Sequence, residues 1–242
     1  MTPELDVDHR VFPAAPPPDL DDPGCIVEHD WRAFAGIDRM TDHWSRPGWP
    51  PGRRAYYWML TFPSDSALSN CARHCQNELV HLGMDPVPDD GLHVTLQSIG
   101  NTAQVSPLQI KHLVRLAEQL SLRPFQLAAH PLTGSRGALR FSLSPWRPLV
   151  NLHAALGEIG RQAGVSGGKS VAAFRPHLGV QYNNRDRPAG PVIASVARLR
   201  LLPPVILDIT AVELVELHQV HGSAQAYRWN SVGTIPFRPT SS

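Results

Sequence analysis

The chain has 242 residues, 42% of them apolar, with three cysteines and a formal charge of +1. That apolar share excludes a wholly disordered chain, three cysteines are too few for a disulfide framework, and no apolar run approaches the ~20 residues of a membrane span. The charge is divided, with net −6 over residues 1–50 and net +7 over residues 51–242; such a body suits a phosphorylated ligand but falls short of a dedicated duplex binder.

In chain order, MTPELDVDHR lacks the apolar stretch of a signal peptide, so a reducing, cytoplasmic setting is expected. Residues 1–24 set Pro13, Pro16, Pro17, Pro18 and Pro23 among acids, which predicts a flexible leader ahead of a single domain over 25–242. Its Asp19, Asp21 and Asp22 either sample the basic surface as a tethered polyanion or simply solvate the tail. Cys25 to Arg54 reads as ordered but irregular, pinned by Trp31, Phe34, Trp44 and Trp49.

From Tyr56 the pattern alternates. Tyr56–Phe62 predicts a strand, and Leu68, Cys71, Cys75, Leu79 and Leu82 predict a helix capped by Gly83. Leu92–Ile99 alternates as a strand, and Ser106 with Pro107 and Gln109 opens a second helix as a capping box. Phe125–Ala129 and Ala138–Leu143 read as a hairpin around Thr133–Gly137, followed by a helix carrying Leu149, Leu152, Leu156 and Ile159. Then come a strand over Phe174–Tyr182, a helix over Pro191–Leu199, and long strands over Val205–Leu217 and Tyr227–Phe237.

Two strands echo each other as H-x-x-x-Q, at His93–Gln97 and His177–Gln181, 84 residues apart. Period-2 alternation sets His93, Thr95 and Gln97 on one face, and Arg175, His177, Gly179 and Gln181 on one face of the other strand. His93-Val94-Thr95-Leu96 and His177-Leu178-Gly179-Val180 resemble the paired H-x-[ST]-x motifs of the two-histidine phosphoesterases, 2′-5′ RNA ligase-like branch. The resemblance spans roughly residues 40–238 and includes His43-Trp44 through Trp49, Gly52-Arg53-Arg54, Arg175-Pro176-His177, Tyr182-Asn183-Asn184 and Tyr227-Arg228-Trp229.

The resemblance implies an α+β fold of two pseudo-symmetric lobes of antiparallel sheet, with helices outside and a central cleft. It implies phosphoester chemistry on a nucleotide or RNA end carrying a 2′,3′-cyclic phosphate, in a monomer with no metal, cofactor or membrane partner. Hydrolysis is expected over ligation, which needs two bound ends. His93 and His177 would be base and acid in an unassigned order, because imidazole titrates near neutral pH. Phosphate would be held at Thr95, Arg175 and Gly179, with Gln97, Gln181, Tyr182, Trp44 and Arg46 as rim or base contacts. Gly179 departs from the motif because it has no hydroxyl. Either a backbone N–H, a water or Arg175 substitutes, or activity is reduced, or the substrate is another cyclic phosphate, or the protein binds without turnover.

Ala163–Ser170 (AGVSGGKS) nearly matches a phosphate-binding loop, but a helix precedes it and a strand follows, the reverse of what that loop requires. It reads as a flexible connection. Cys71 and Cys75 beside His74, and His218 with His221, supply too few ligands for a metal site.

Overall fold

The computed structural model describes residues 3–45, 49–50, 52–165, 167–222 and 225–238. Asp22 opens the first helix, α1 (Pro23–Ala35), by accepting the Cys25 N–H at 2.8 Å, with Pro23 in the first turn, where its missing N–H costs nothing. This corrects the expectation of an irregular stretch, and Asp22-Pro23 ahead of Ile26 and Phe34 is a legible helix start. The order continues β1 (Arg39–Met40), β2 (Arg54–Thr61), α2 (Ala67–Glu78), β3 (Asp85–Pro86), β4 (His93–Asn101), α3 (Pro107–Glu118), β5 (Phe125–Gly134), β6 (Ala138–Ser144), α4 (Arg147–Gln162), β7 (Leu178–Tyr182), β8 (Arg187–Pro188), α5 (Gly190–Ala197), β9 (Val205–Ile209), β10 (Ala211–Val220) and β11 (Ala226–Pro236).

Local chemistry accounts for most of these boundaries. Reciprocal capping boxes start α2 at Ser66/Ser69 and α3 at Ser106/Gln109. The helix expected to run to Leu82 stops at Glu78; a short 3₁₀ turn follows and ends at Gly83, whose φ of +57° suits glycine. The long strand expected over Val205–Leu217 divides at Thr210, whose carbonyl accepts the Phe237 N–H, and its two parts join different sheets.

The fold is α+β. One antiparallel sheet runs β11-β10-β2-β4, a second runs β3-β7-β6-β5-β9, and β1 pairs with β8. Helices cross between the two: α2, which follows β2, packs on β7 and β9, whereas α4, which links β6 to β7, packs on β4. Each histidine strand is therefore backed by a helix from the other half of the chain. α4 buries Leu149, Leu152, Leu156 and Ile159, each contributing about 1.5–3 kcal/mol, and one core cluster joins both sheets. No helix among the described residues is long and apolar enough to cross a membrane.

Residues 3–22 correct the expectation of a flexible leader. The buried Arg175 guanidinium donates to five carbonyls, those of Asp6, Pro13 and Ala14 in the leader and of Ala172 and Phe174 in the body. Arg140, also buried, donates to Phe12 O and lies over the Phe12 ring. The acids expected to roam the surface are held locally. Asp19 accepts the amides of Asp21 and Asp22, and Asp21 pairs with Arg147. Prolines and acids predict disorder only where no partner collects their carbonyls, and here two buried arginines do.

Candidate active site

His93 opens β4, whereas the strand expected from Phe174 starts only at Leu178, so His177 immediately precedes β7. These two strands abut, β4 at the edge of its sheet and β7 flanked outwardly only by the two-residue β3. Both are bulged at the same place. In β4, Thr95 pairs with Met59 and Gln97 with Trp58, which leaves Leu96 as the extra residue. In β7, Gly179 pairs with Arg140 and Gln181 with Leu139, which leaves Val180. A bulge reverses the alternation beyond it. Directly paired residues share a face, so Thr95 and Ser98 (opposite Met59 and Tyr57) lie on one side of β4 and Gln97 on the other.

A bulged residue loses its place in the ladder, so its carbonyl needs another donor. The backing helices supply one to each, although Val180 O also takes the Val87 N–H at 2.9 Å. His153 of α4 donates Nδ1–H to Leu96 O at 2.6 Å, and Gln76 of α2 donates to Val180 O at 2.9 Å.

His93 and His177 are held alike. The Nδ1–H of His93 donates to Gly91 O at 2.8 Å and that of His177 to Arg175 O at 2.9 Å, in each case the carbonyl two residues earlier. A carbonyl can only accept, so in the neutral ring the tautomer is set and Nε2 is the basic atom. His93 is half-buried and His177 exposed. Burial lowers the His93 pKa below its ordinary 6.5, opposed in part by the Gly91 hydrogen bond.

Aromatic rings join the two motifs. Tyr227 and Trp229 of β11 stand edge-on to His93, with centroids 6.4 and 5.3 Å away. Tyr227 also meets Tyr182 at 5.5 Å, and its hydroxyl lies 3.0 Å from His43 Nε2. His43 lies 4.1 Å from the Tyr182 ring, and Trp44 packs on both tyrosines while donating to Asp85. The wall is aromatic and nearly uncharged.

Of the expected site residues, Trp44 and Tyr182 form part of this wall, His93 and Gly179 meet it, Thr95 shares β4 with His93, and His177 leads into β7. Gln97 and Gln181 do not, because the bulges turn both inward. Gln97 is buried, accepting the Lys169 N–H at 2.8 Å, and Gln181 is 2% exposed. Arg175 spends its donors on the leader and on Ala172 and Phe174, and offers the site only its carbonyl. Arg46 lies outside the described residues. The described part of 163–170 is not a loose connection: Gly167 N–H donates to Ile99 O and Lys169 N–H to Gln97, which lays this segment on β4. The sequence reading passes over His43, Tyr227 and Trp229 as site residues, although Tyr227-x-Trp229 at period 2 puts both rings on one face. Among the described residues, no group of three or more His, Cys, Asp or Glu is placed to hold a metal ion.

The model of a family described as the 2′-5′ RNA ligase superfamily matches residues 64–221. Among solved structures, E. coli LigT in apo form is similar at a TM-score of 0.56 and 18% identity, covering 76% of this chain and 98% of that one. E. coli LigT complexed with 3′-AMP gives 0.56 at 17% identity over the same shares. TT0787 of Thermus thermophilus gives 0.56 at 15% identity, covering 77% and 100%. Likeness at these identities shows the fold. No curated protein matches the chain.

Proposed function

Because this chain belongs to the 2′-5′ RNA ligase superfamily, we propose that it is a phosphodiesterase that opens a 2′,3′-cyclic phosphate on an RNA end or a small nucleotide. The observation that carries the reading is the matched pair of histidines, each giving Nδ1–H to its own i−2 carbonyl, which makes Nε2 the basic atom of the neutral ring, at the starts of strands that abut. Family membership supports phosphoester chemistry, and LigT complexed with 3′-AMP supports a nucleotide ligand.

Water attacks phosphorus and gives up a proton to one imidazole; the ribose oxygen leaves and takes a proton from the other. The product is a linear phosphomonoester. Burial lowers the His93 pKa, which suits it to be the base, and His177 is then the acid. Thr95, two residues beyond His93 on the same face, lies about 6.6 Å along the strand and is suited to donate to a non-bridging oxygen. The half-buried Trp229, 5.3 Å from the His93 ring, offers apolar surface for a base or ribose.

The test is to incubate the protein with 2′,3′-cyclic mononucleotides and oligomers ending in the same group, in EDTA, and follow phosphorus NMR. Conversion of the cyclic resonance to a monoester resonance is the expected result, and its absence with every substrate sinks the reading. One observation favours a second reading, a binder without turnover: Gly179 brings no hydroxyl of its own to the second motif. Such a protein would bind nucleotides in the same assay and leave them intact.

A further inference from the structure

A side chain at position 179 would have its Cβ 3.4 Å from the Tyr182 hydroxyl, with Cε1 and Cζ of that ring at 3.5 and 3.6 Å. The phenol end therefore stands where a side chain at 179 would point. In a regular strand, residues three apart face opposite ways. The bulge at Val180 removes that constraint and brings Tyr182 round to the face of Gly179, leaving Gln181 behind it. The same bulge at Leu96 brings Ser98 to the face of Thr95. Positions two and five beyond each histidine thus share a face, occupied by Thr95 and Ser98 in one motif and by Gly179 and Tyr182 in the other. A short residue at the fifth position leaves room for threonine at the second, and a tyrosine there takes up that room.

We propose that the Tyr182 hydroxyl donates to a non-bridging phosphate oxygen in the second motif, in place of the hydroxyl that Gly179 lacks. The inference rests on the phosphoesterase reading above and extends it to the residue that grips the phosphate from the His177 side. The ring is clamped between His43, Trp44 and Tyr227, with centroids 4.1, 5.0 and 5.5 Å away. The packing holds the ring, and with it the hydroxyl oxygen, in place before a phosphate arrives, so little reorganisation of the ring accompanies binding. A phenol, with a pKa of about 10, is also a better donor than an aliphatic hydroxyl. Glycine at 179 is then the partner of tyrosine at 182.

Three variants test this, Tyr182→Phe, Gly179→Ser and the double substitution, with turnover of a 2′,3′-cyclic nucleotide and calorimetric binding of inorganic phosphate as separate readouts. Tyr182→Phe keeps the ring packing and removes the donor. It should lower kcat by about 10²-fold, the usual cost of one such donor, and weaken phosphate binding. Adding Gly179→Ser should restore much of both, because the serine hydroxyl then enters space the phenol oxygen has left. Phosphate binding that falls in Tyr182→Phe, in a protein that turns nothing over, upholds the tyrosine and overturns the phosphodiesterase reading. Unchanged kcat and binding in Tyr182→Phe overturns the proposal. So does a loss that serine at 179 does not recover, which marks Tyr182 as packing alone, and so does a wild-type protein that neither binds phosphate nor turns over any substrate.

Discussion

A histidine presents two nitrogens, and at His93 and His177 the carbonyls of Gly91 and Arg175 claim Nδ1. His93→Ala and His177→Ala should each lower turnover at least about a hundredfold with the fold intact, as removal of a general acid or base does. The double variant should be little worse than either single one, since the pair acts as a unit; circular dichroism beside the assay separates this from unfolding. Near-normal turnover in either single variant contradicts the assignment. The pH profile follows from the buried side. A base works when neutral, and burial lowers the His93 pKa, so the acid limb of kcat/KM should have its midpoint below 6.5. A midpoint above 6.5 would overturn the assignment of His93 as the base.

At the scale of elements, both motif strands depend on a helix from the other half to hold their bulges. His153→Phe keeps the stack on Phe174, 4.1 Å between centroids, and removes the donor to the buried Leu96 carbonyl. It should cost about 1–3 kcal/mol in urea unfolding, the range for an unsatisfied buried acceptor. Burial lowers the His153 pKa below 6.5, against its hydrogen bonds to Leu96 and Lys169. Its stabilising effect is therefore fully present above the unfolded value of about 6.5 and is lost as pH falls through the lowered folded value. Wild-type stability should drop over that acidic window, and the His153→Phe profile should drop less. Gly167→Ala is a separate check on the segment that crosses β4. Its Cβ would lie 2.3 Å from the Ile99 carbonyl, so a loss of about 1–3 kcal/mol is expected from overpacking.

At the scale of the whole molecule, the N-terminal segment lies outside the matched 64–221 and still touches the site. Arg140 is the ladder partner of Gly179 and so shares its face, and it carries Phe12. Arg175 carries Asp6, Pro13 and Ala14 on its side chain and His177 on its carbonyl. Deleting residues 1–14 removes acceptors from two buried guanidinium groups, and hydrogen bonds to charged groups are worth about 1.5–3 kcal/mol each. The expected result is a lower melting temperature together with a lower kcat, as the Arg175 carbonyl loses its fixed position. Unchanged melting and unchanged kcat would overturn this account.

Local pattern made much of this protein legible. The two capping boxes, the Gly83 stop, the apolar faces of α3 and α4, and the paired histidines each depend on residues within a few positions of one another, where period and hydrogen-bonding chemistry decide. The pairing and order of the two motifs, with the residues around them, were enough to point to the family. Tertiary structure alone decided which way the residues beyond each histidine face. The carbonyls of the bulged Leu96 and Val180 meet side-chain donors 57 and 104 residues away in the chain. Strict alternation therefore put Gln97 and Gln181 in the cleft and left Tyr182 off the motif face. The same holds for the leader, whose carbonyls meet Arg175 only because the fold returns that arginine to them more than 160 residues later. Contacts across such separations leave no periodic trace, so they become visible only when the chain has closed on itself.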